Sequence, residues 1–259
     1  MRLSVLDLVP VLQGADASEA LRQAVLLAQA AERLGYHRYW AAEHHDMPGL
    51  ACTAPEVLLA HIGAVTGRIR LGSGAVLLPH YRPIKVAETF HLLSALNPGR
   101  VDLGIGRAPG GSAHVTMALS GNFLENVSRL PESLKALADL LSGEYRVEGE
   151  LVHARPIPPE APEVWILGTN NKSASYAAEF GTGYVFGQFM SDREAGELLA
   201  AYRQDFRPSR LGAEPRAIVA IGVICADTEE EAARLTEAGA AWFRPEGEKG
   251  RIGLRRSGS

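Results

Sequence analysis

Cysteine is scarce: Cys52 and Cys225 are the only two in 259 residues, far apart and without CxxC spacing. That pattern excludes a disulfide framework and a thiolate metal site, and it suits a reducing cytosol. Long apolar runs are missing too. No stretch of roughly 18 apolar residues offers a membrane span. The first residues, Met1–Leu6, lack an apolar core followed by a small-residue cleavage site, so no secretory signal is expected. Charge of one sign is nowhere concentrated. The net charge is −4, and the runs Arg68–Arg70 and Arg251–Arg256 are short enough to read as solvated surface, so neither nucleic acid nor a membrane surface is an expected partner. The GxSxG, HExxH and P-loop patterns are absent.

What is present is length for one large domain, a 46% hydrophobic composition, and an alternation of short apolar runs with amphipathic segments. Leu3–Val9, Tyr39–Glu43, Ile69–Leu78 and Val101–Ile105 read as four strands. Between them Ser18–Leu34, Ala54–Thr66 and Ile84–Leu96 read as helices, with Ser18 suited to cap the first, Gly35 to end it, and Pro83 to open the third. Residues Arg107–Glu163 interrupt the repeat with a Gly-rich stretch, a helix near Pro131–Leu141 and a hairpin around Tyr145–His153. The alternation resumes with strands at Val164–Leu167, Tyr184–Phe186 and Ala217–Cys225, and helices near Lys172–Phe180, Asp192–Phe206 and Thr228–Phe243. Strands alternating with helices imply a parallel sheet with right-handed crossovers. Seven units and one insertion favour an α/β fold of the TIM type, a (β/α) barrel with a long insertion after strand four and no eighth β/α unit. A dinucleotide-binding open sheet needs GxGxxG after an early strand, whereas Gly104–Pro109 fails at the third glycine and follows the fourth. The barrel is expected over 1–243, and residues 244–259, Gly- and Arg-rich, read as a disordered or foreign tail.

In such barrels chemistry gathers at the C-terminal ends of the strands. Four of these ends are polar or bare. Ala42-Glu43-His44-His45-Asp46 offers a histidine as acid, base or hydrogen-bond donor, a metal site, or a pair capping backbone groups; side chains alternate along a strand, so His44 and His45 cannot both face one site unless the chain turns. Leu71–Pro79 is a small-residue patch that could receive a flat ring or simply relieve crowding. Gly104–Gly111 lets the backbone approach a ligand, with Arg107 as a forked phosphate donor or a surface cation. Leu167-Gly168-Thr169-Asn170-Asn171-Lys172-Ser173 runs into a helix start. That is an anion site, or capping by Asn170 or Asn171, and the two are compatible.

Together these strand ends resemble the bacterial luciferase-like monooxygenase family. The resemblance rests on Gly35–Trp40 running into Ala42–His45, on Leu71–Pro79, on Asn97–Arg107 and on Val164–Ser173, and it covers Met1 to about Phe243. It implies a TIM barrel that binds reduced FMN from a separate flavin reductase and uses O₂ on a small-molecule substrate. His44 matches the family's catalytic histidine, Arg107 its phosphate-binding arginine, and Thr169, Asn170 and Ser173 positions near the phosphate. Gly74 and Ala75 match a non-prolyl cis peptide that supports the flavin ring. Gly106 stands where luciferase proper has a reactive cysteine, so light emission is not implied. The resemblance also implies a cytoplasmic homodimer. The alternatives are hydride transfer with the deazaflavin F420, and a non-catalytic flavin binder or inactive fragment. A metal hydrolase is disfavoured because Leu6-Asp7-Leu8 offers no HxH pair, and no metal is expected.

Overall fold

The computed structural model describes residues 1–242; the tail expected at 244–259 lies outside them. The first half of the sheet is built from β1 (Ser4–Asp7), β2 (Arg38–Ala41), β3 (Arg70–Ser73), β4 (Val76–Leu77) and β5 (Val101–Gly106), with α1 (Ala17–Arg33), α2 (Pro55–Ala64) and α3 (Pro83–Leu96) between them. The insertion carries α4 (Ala113–Ser120), α5 (Phe123–Ser128), α6 (Leu130–Leu141) and a hairpin of β6 (Arg146–Val147) and β7 (Glu150–Leu151). Then follow β8 (Glu163–Gly168), α7 (Asn171–Glu179), β9 (Gly183–Gly187), α8 (Ala195–Asp205), β10 (Ala217–Ala220) and α9 (Glu229–Trp242). The main sheet is parallel throughout, in the order β1-β2-β3-β5-β8-β9-β10, with β4 also on β5. It is a nearly closed seven-position barrel of the TIM type. Among the described residues β1 and β10 remain its two edges, where an eighth strand would stand.

Several boundaries differ from expectation for local reasons. The cap of α1 is Asp16, whose carboxylate accepts from the Glu19 backbone at 2.8 Å, and Ser18 falls inside the first turn. The expected strand Ile69–Leu78 breaks in two. At the break Ser73 Oγ donates to the Gly104 carbonyl at 2.8 Å and accepts from its N–H at 3.0 Å, so a buried hydroxyl replaces the missing ladder bonds. The Gly74–Ala75 peptide between the halves is cis. The expected strand Ala217–Cys225 stops at Ala220, because its partner Gly187 is the last residue of β9 and the chain there turns into a 3₁₀ segment. The helices α4 and α5 were not expected: they are short and start on Ser112 and Asn122 caps rather than on an apolar stripe. No helix among the described residues is long and apolar enough to cross a membrane.

The main core lies between sheet and helices, around Tyr39, Leu59, Leu71, Phe90, Leu103 and Tyr184. Inside the barrel Trp40, Trp165 and Val185 form a smaller apolar layer. Gly72 and Gly183 make room for it: a Cβ at either would collide with the Trp40 or Trp165 ring. Crowding therefore accounts for Gly72, as the plainer reading of that patch has it. The N-terminal mouth of the barrel is plugged by charge. Asp102, fully buried, accepts from Arg38 at 2.9 Å, from Arg70 at 2.6 Å and from the Trp40 indole at 2.9 Å. Glu163 accepts from Arg38 at 3.1 Å and Arg216 at 2.7 Å. Burial alone would raise the Glu163 carboxyl, but Arg70, Arg216 and Arg38 outweigh it and hold it below the usual range.

Candidate active site

The opposite mouth, at the C-terminal strand ends, carries every residue singled out by the sequence. The alternation rule sorts the cluster after β2. Glu43 and His45, two residues apart, are both buried and turn to each other, His45 Nε2 lying 2.7 Å from Glu43 Oε1. A carboxylate only accepts, so His45 donates from Nε2. His44 points elsewhere. Its backbone N–H donates to the Cys52 carbonyl at 2.9 Å, while its ring is half-buried and its Nδ1 is a buried nitrogen with no partner among the described residues. Burial lowers its pKa from 6.5; Glu43 pulls the other way and His45 adds to the fall. Of the two histidines, His44 is the one whose ring nitrogen is fully buried without a partner among the described residues. Cys52 is no second nucleophile, since burial raises its thiol pKa to about 12.

Beside this cluster the Gly74–Ala75 segment faces the end of β5. A Cβ built at Gly106 would lie 3.0 Å from the Ala75 Cβ, so the absence of a side chain at 106 keeps that surface open. Arg107 follows directly. It is half-buried and makes no hydrogen bond or ion pair with any described residue. Its strand neighbours β8, with Ile105 paired to Ile166, so Arg107 and the Thr169 turn leave the ends of two adjacent strands.

In that turn Asn170 caps α7, accepting from the Ser173 N–H at 3.3 Å. Ser173 is buried beneath the turn, its hydroxyl donating to the Asn170 carbonyl at 2.7 Å. It thus stiffens the turn from inside, while Thr169 stays half-buried at the rim. Two residues escaped the sequence reading. Arg193, after β9, donates to Asn171 Oδ1 at 2.6 Å and so sets a second cation at the α7 N-terminus. His80 ties the barrel to the insertion: Nε2 lies 2.9 Å from the Pro109 carbonyl, Nδ1 3.0 Å from Ser120 Oγ, and the ring stacks on Phe123. No spacing in the sequence marks either; the pairing of Glu43 with His45 was not read from the sequence, although their i, i+2 spacing puts both on one face of the strand end.

A family model described as luciferase-like monooxygenase matches residues 1–257. The chain belongs to the luciferase-like monooxygenase family. Relatives of this family from Bacillus subtilis (strain 168) include the uncharacterized protein YwcH, 48% identical over 90% of this chain and 71% of its own length. Another is an N-acetyl-S-alkylcysteine monooxygenase, 42% identical over 90% of this chain and 70% of its own. The crystal structure of apo-MsnO8 superposes with a TM-score of 0.86 at 38% identity, covering 94% of this chain and 71% of that one. The luciferase-like barrel expected from the strand ends is therefore the fold and the family of this protein.

Proposed function

We propose that this chain is the oxygenase of a flavin-dependent system, taking reduced FMN from a separate reductase and using O₂ to oxidise a small organic substrate. The observation that carries the reading is Arg107, a half-buried cation without a partner among the described residues, one strand from a capped helix N-terminus. A guanidinium with no counter-charge among the described residues is free to take an anion, and the free N–H groups of α7 favour the same sign of ligand. The buried, unpartnered His44 Nδ1 fits a polar ligand atom at the same mouth. When bound, reduced FMN would supply the electrons that split O₂, one atom going to the substrate and the other to water.

In this reading Arg107, Thr169 and Asn170 hold the phosphate, with Ser173 bracing the turn. Gly74 and Ala75 support the ring. His44 stays neutral at pH 7 and exchanges a proton at its imidazole. The α4–α5 part of the insertion, clasped by His80, covers the mouth and excludes water. Two copies associate as a homodimer.

The test is a fluorescence titration of the purified chain with FMN and with F420, each reduced and oxidised. Saturable binding of reduced FMN, weakened about 10- to 100-fold in Arg107→Ala, is the expected result. Binding of F420 alone would move the reading to hydride transfer. No binding by a folded chain would overturn both.

A further inference from the structure

We propose that Glu43 is the positioning residue of this site, one buried carboxylate that fixes both walls between which the flavin would lie. The inference rests on the flavin reading above. Glu43 is 3% exposed, and three elements donate to it. Oε1 accepts from His45 Nε2 and from the Tyr81 hydroxyl, both at 2.7 Å, and Oε2 accepts from the Leu77 backbone N–H at 3.0 Å. Burial and the Glu43 charge together push the Tyr81 phenol far above its ordinary range, so Tyr81 remains a donor.

Each tie leads to a wall. Leu77 is two residues beyond Ala75, so the bond to its N–H anchors the strand carrying the Gly74–Ala75 platform at its far end. His45 leads to the loop carrying Arg107. Its N–H donates to the Gly110 carbonyl at 2.8 Å, and its own carbonyl lies where a Cβ at Gly111 would stand. Gly110, at φ +70°, presses on the Leu77 side chain in the same way. The loop from Arg107 to Gly111 is thus laid on Glu43-His45 and Leu77 with no room for side chains between them. Beyond Leu77, His80 holds the Pro109 carbonyl of the same loop at 2.9 Å. Removing the charge at Glu43 loosens the platform and the phosphate loop together, since the hydrogen bonds from Leu77 and from His45 both close on this one carboxylate.

Glu43 has both oxygens engaged and acts through these neighbours, so it is not assigned a proton-transfer role. The test compares Glu43→Gln and Tyr81→Phe with Glu163→Gln, a carboxylate at the other mouth, at a temperature well below melting. Two quantities are read: affinity for reduced FMN, and hydrogen exchange of the unliganded protein at residues 75–80 and 107–112. The expected result is about a tenfold loss of affinity in Glu43→Gln, a smaller one in Tyr81→Phe, and faster exchange confined to those two segments. Glu163→Gln leaves both unchanged.

Equal FMN affinity in wild type and Glu43→Gln would overturn the proposal. So would losses that track the fall in melting temperature in all three variants. If Glu43→Gln does not fold, Tyr81→Phe decides by the same two readouts. If wild type binds no reduced FMN, the flavin reading fails and this assignment with it. In that case faster exchange in the unliganded variant would still separate the tie from its ligand.

Discussion

The two mouths of the barrel differ in which polar groups they leave unpaired. At the N-terminal mouth, Arg38, Arg70 and Arg216 meet Asp102 and Glu163, and the Trp40 indole adds a further donor to Asp102. At the C-terminal mouth, Arg107 has no partner among the described residues and His44 Nδ1 is buried without one. Buried polar groups are as a rule satisfied within the protein, so a group left waiting is the more informative one. The first mouth holds the strands together, and the second is where the proposed flavin would supply the missing partners.

The largest expected effect lies at the C-terminal mouth. His44→Ala should lower turnover about 10²- to 10⁴-fold while leaving the melting curve and FMN affinity nearly intact, as removal of a general acid or base does. In wild type the pH–rate profile should keep its plateau at neutral pH. Because the folded-state pKa of His44 lies below 6.5, the neutral imidazole is lost only as pH falls below that value. A limb centred above 6.5 and abolished by His44→Ala would sink the assignment. Next in size is Gly106→Val, whose side chain would press on the Ala75 surface; flavin titration should show affinity falling on the order of tenfold, the cost of a crowded contact.

The smallest effect belongs to the other mouth. Glu163→Gln should lower the melting temperature by roughly 2–4 °C per kcal/mol lost, without touching flavin affinity. The sign with pH follows from its depressed carboxyl. The stabilisation is fully present above the unfolded-state value of about 4.5 and is lost as pH falls through the lower folded value. Thermal melts between neutral and acid pH should therefore show a shallower acid decline in the variant. A flavin effect in this variant would erase the contrast between the mouths.

Much of this contrast was invisible in the sequence. The barrel was legible because each strand is a short apolar run bounded by helical periodicity, and that signal is local. Arg107 and Asn170 were legible because they stand at strand ends, where parallel barrels place their chemistry. The N-terminal plug was not, since Arg38 reaches Asp102 and Glu163 across 64 and 125 residues. Arg38, Trp40 and Asp102 also fall within the stretches that carried the family resemblance, yet they serve the closed mouth and not the open one. The break in the third strand was marked only as a small-residue patch: the residue that repairs it, Ser73, bonds to Gly104, 31 residues away, and no local pattern signals that pairing.

The insertion leaves β5 and returns at β8, and these strands are neighbours paired in register from Asp102–Glu163 onward. Its two ends therefore stay one strand spacing apart whatever lies between them. Within it α6 packs on α3 and buries Leu130, Leu134, Leu137 and Leu140 in the main core, so it belongs to the barrel's outer layer; α4 and α5 carry few buried residues and are held by the His80 side-chain clasp. Changes of length or sequence in α4 and α5 can in this way be absorbed at the rim while the paired strands beneath keep their register.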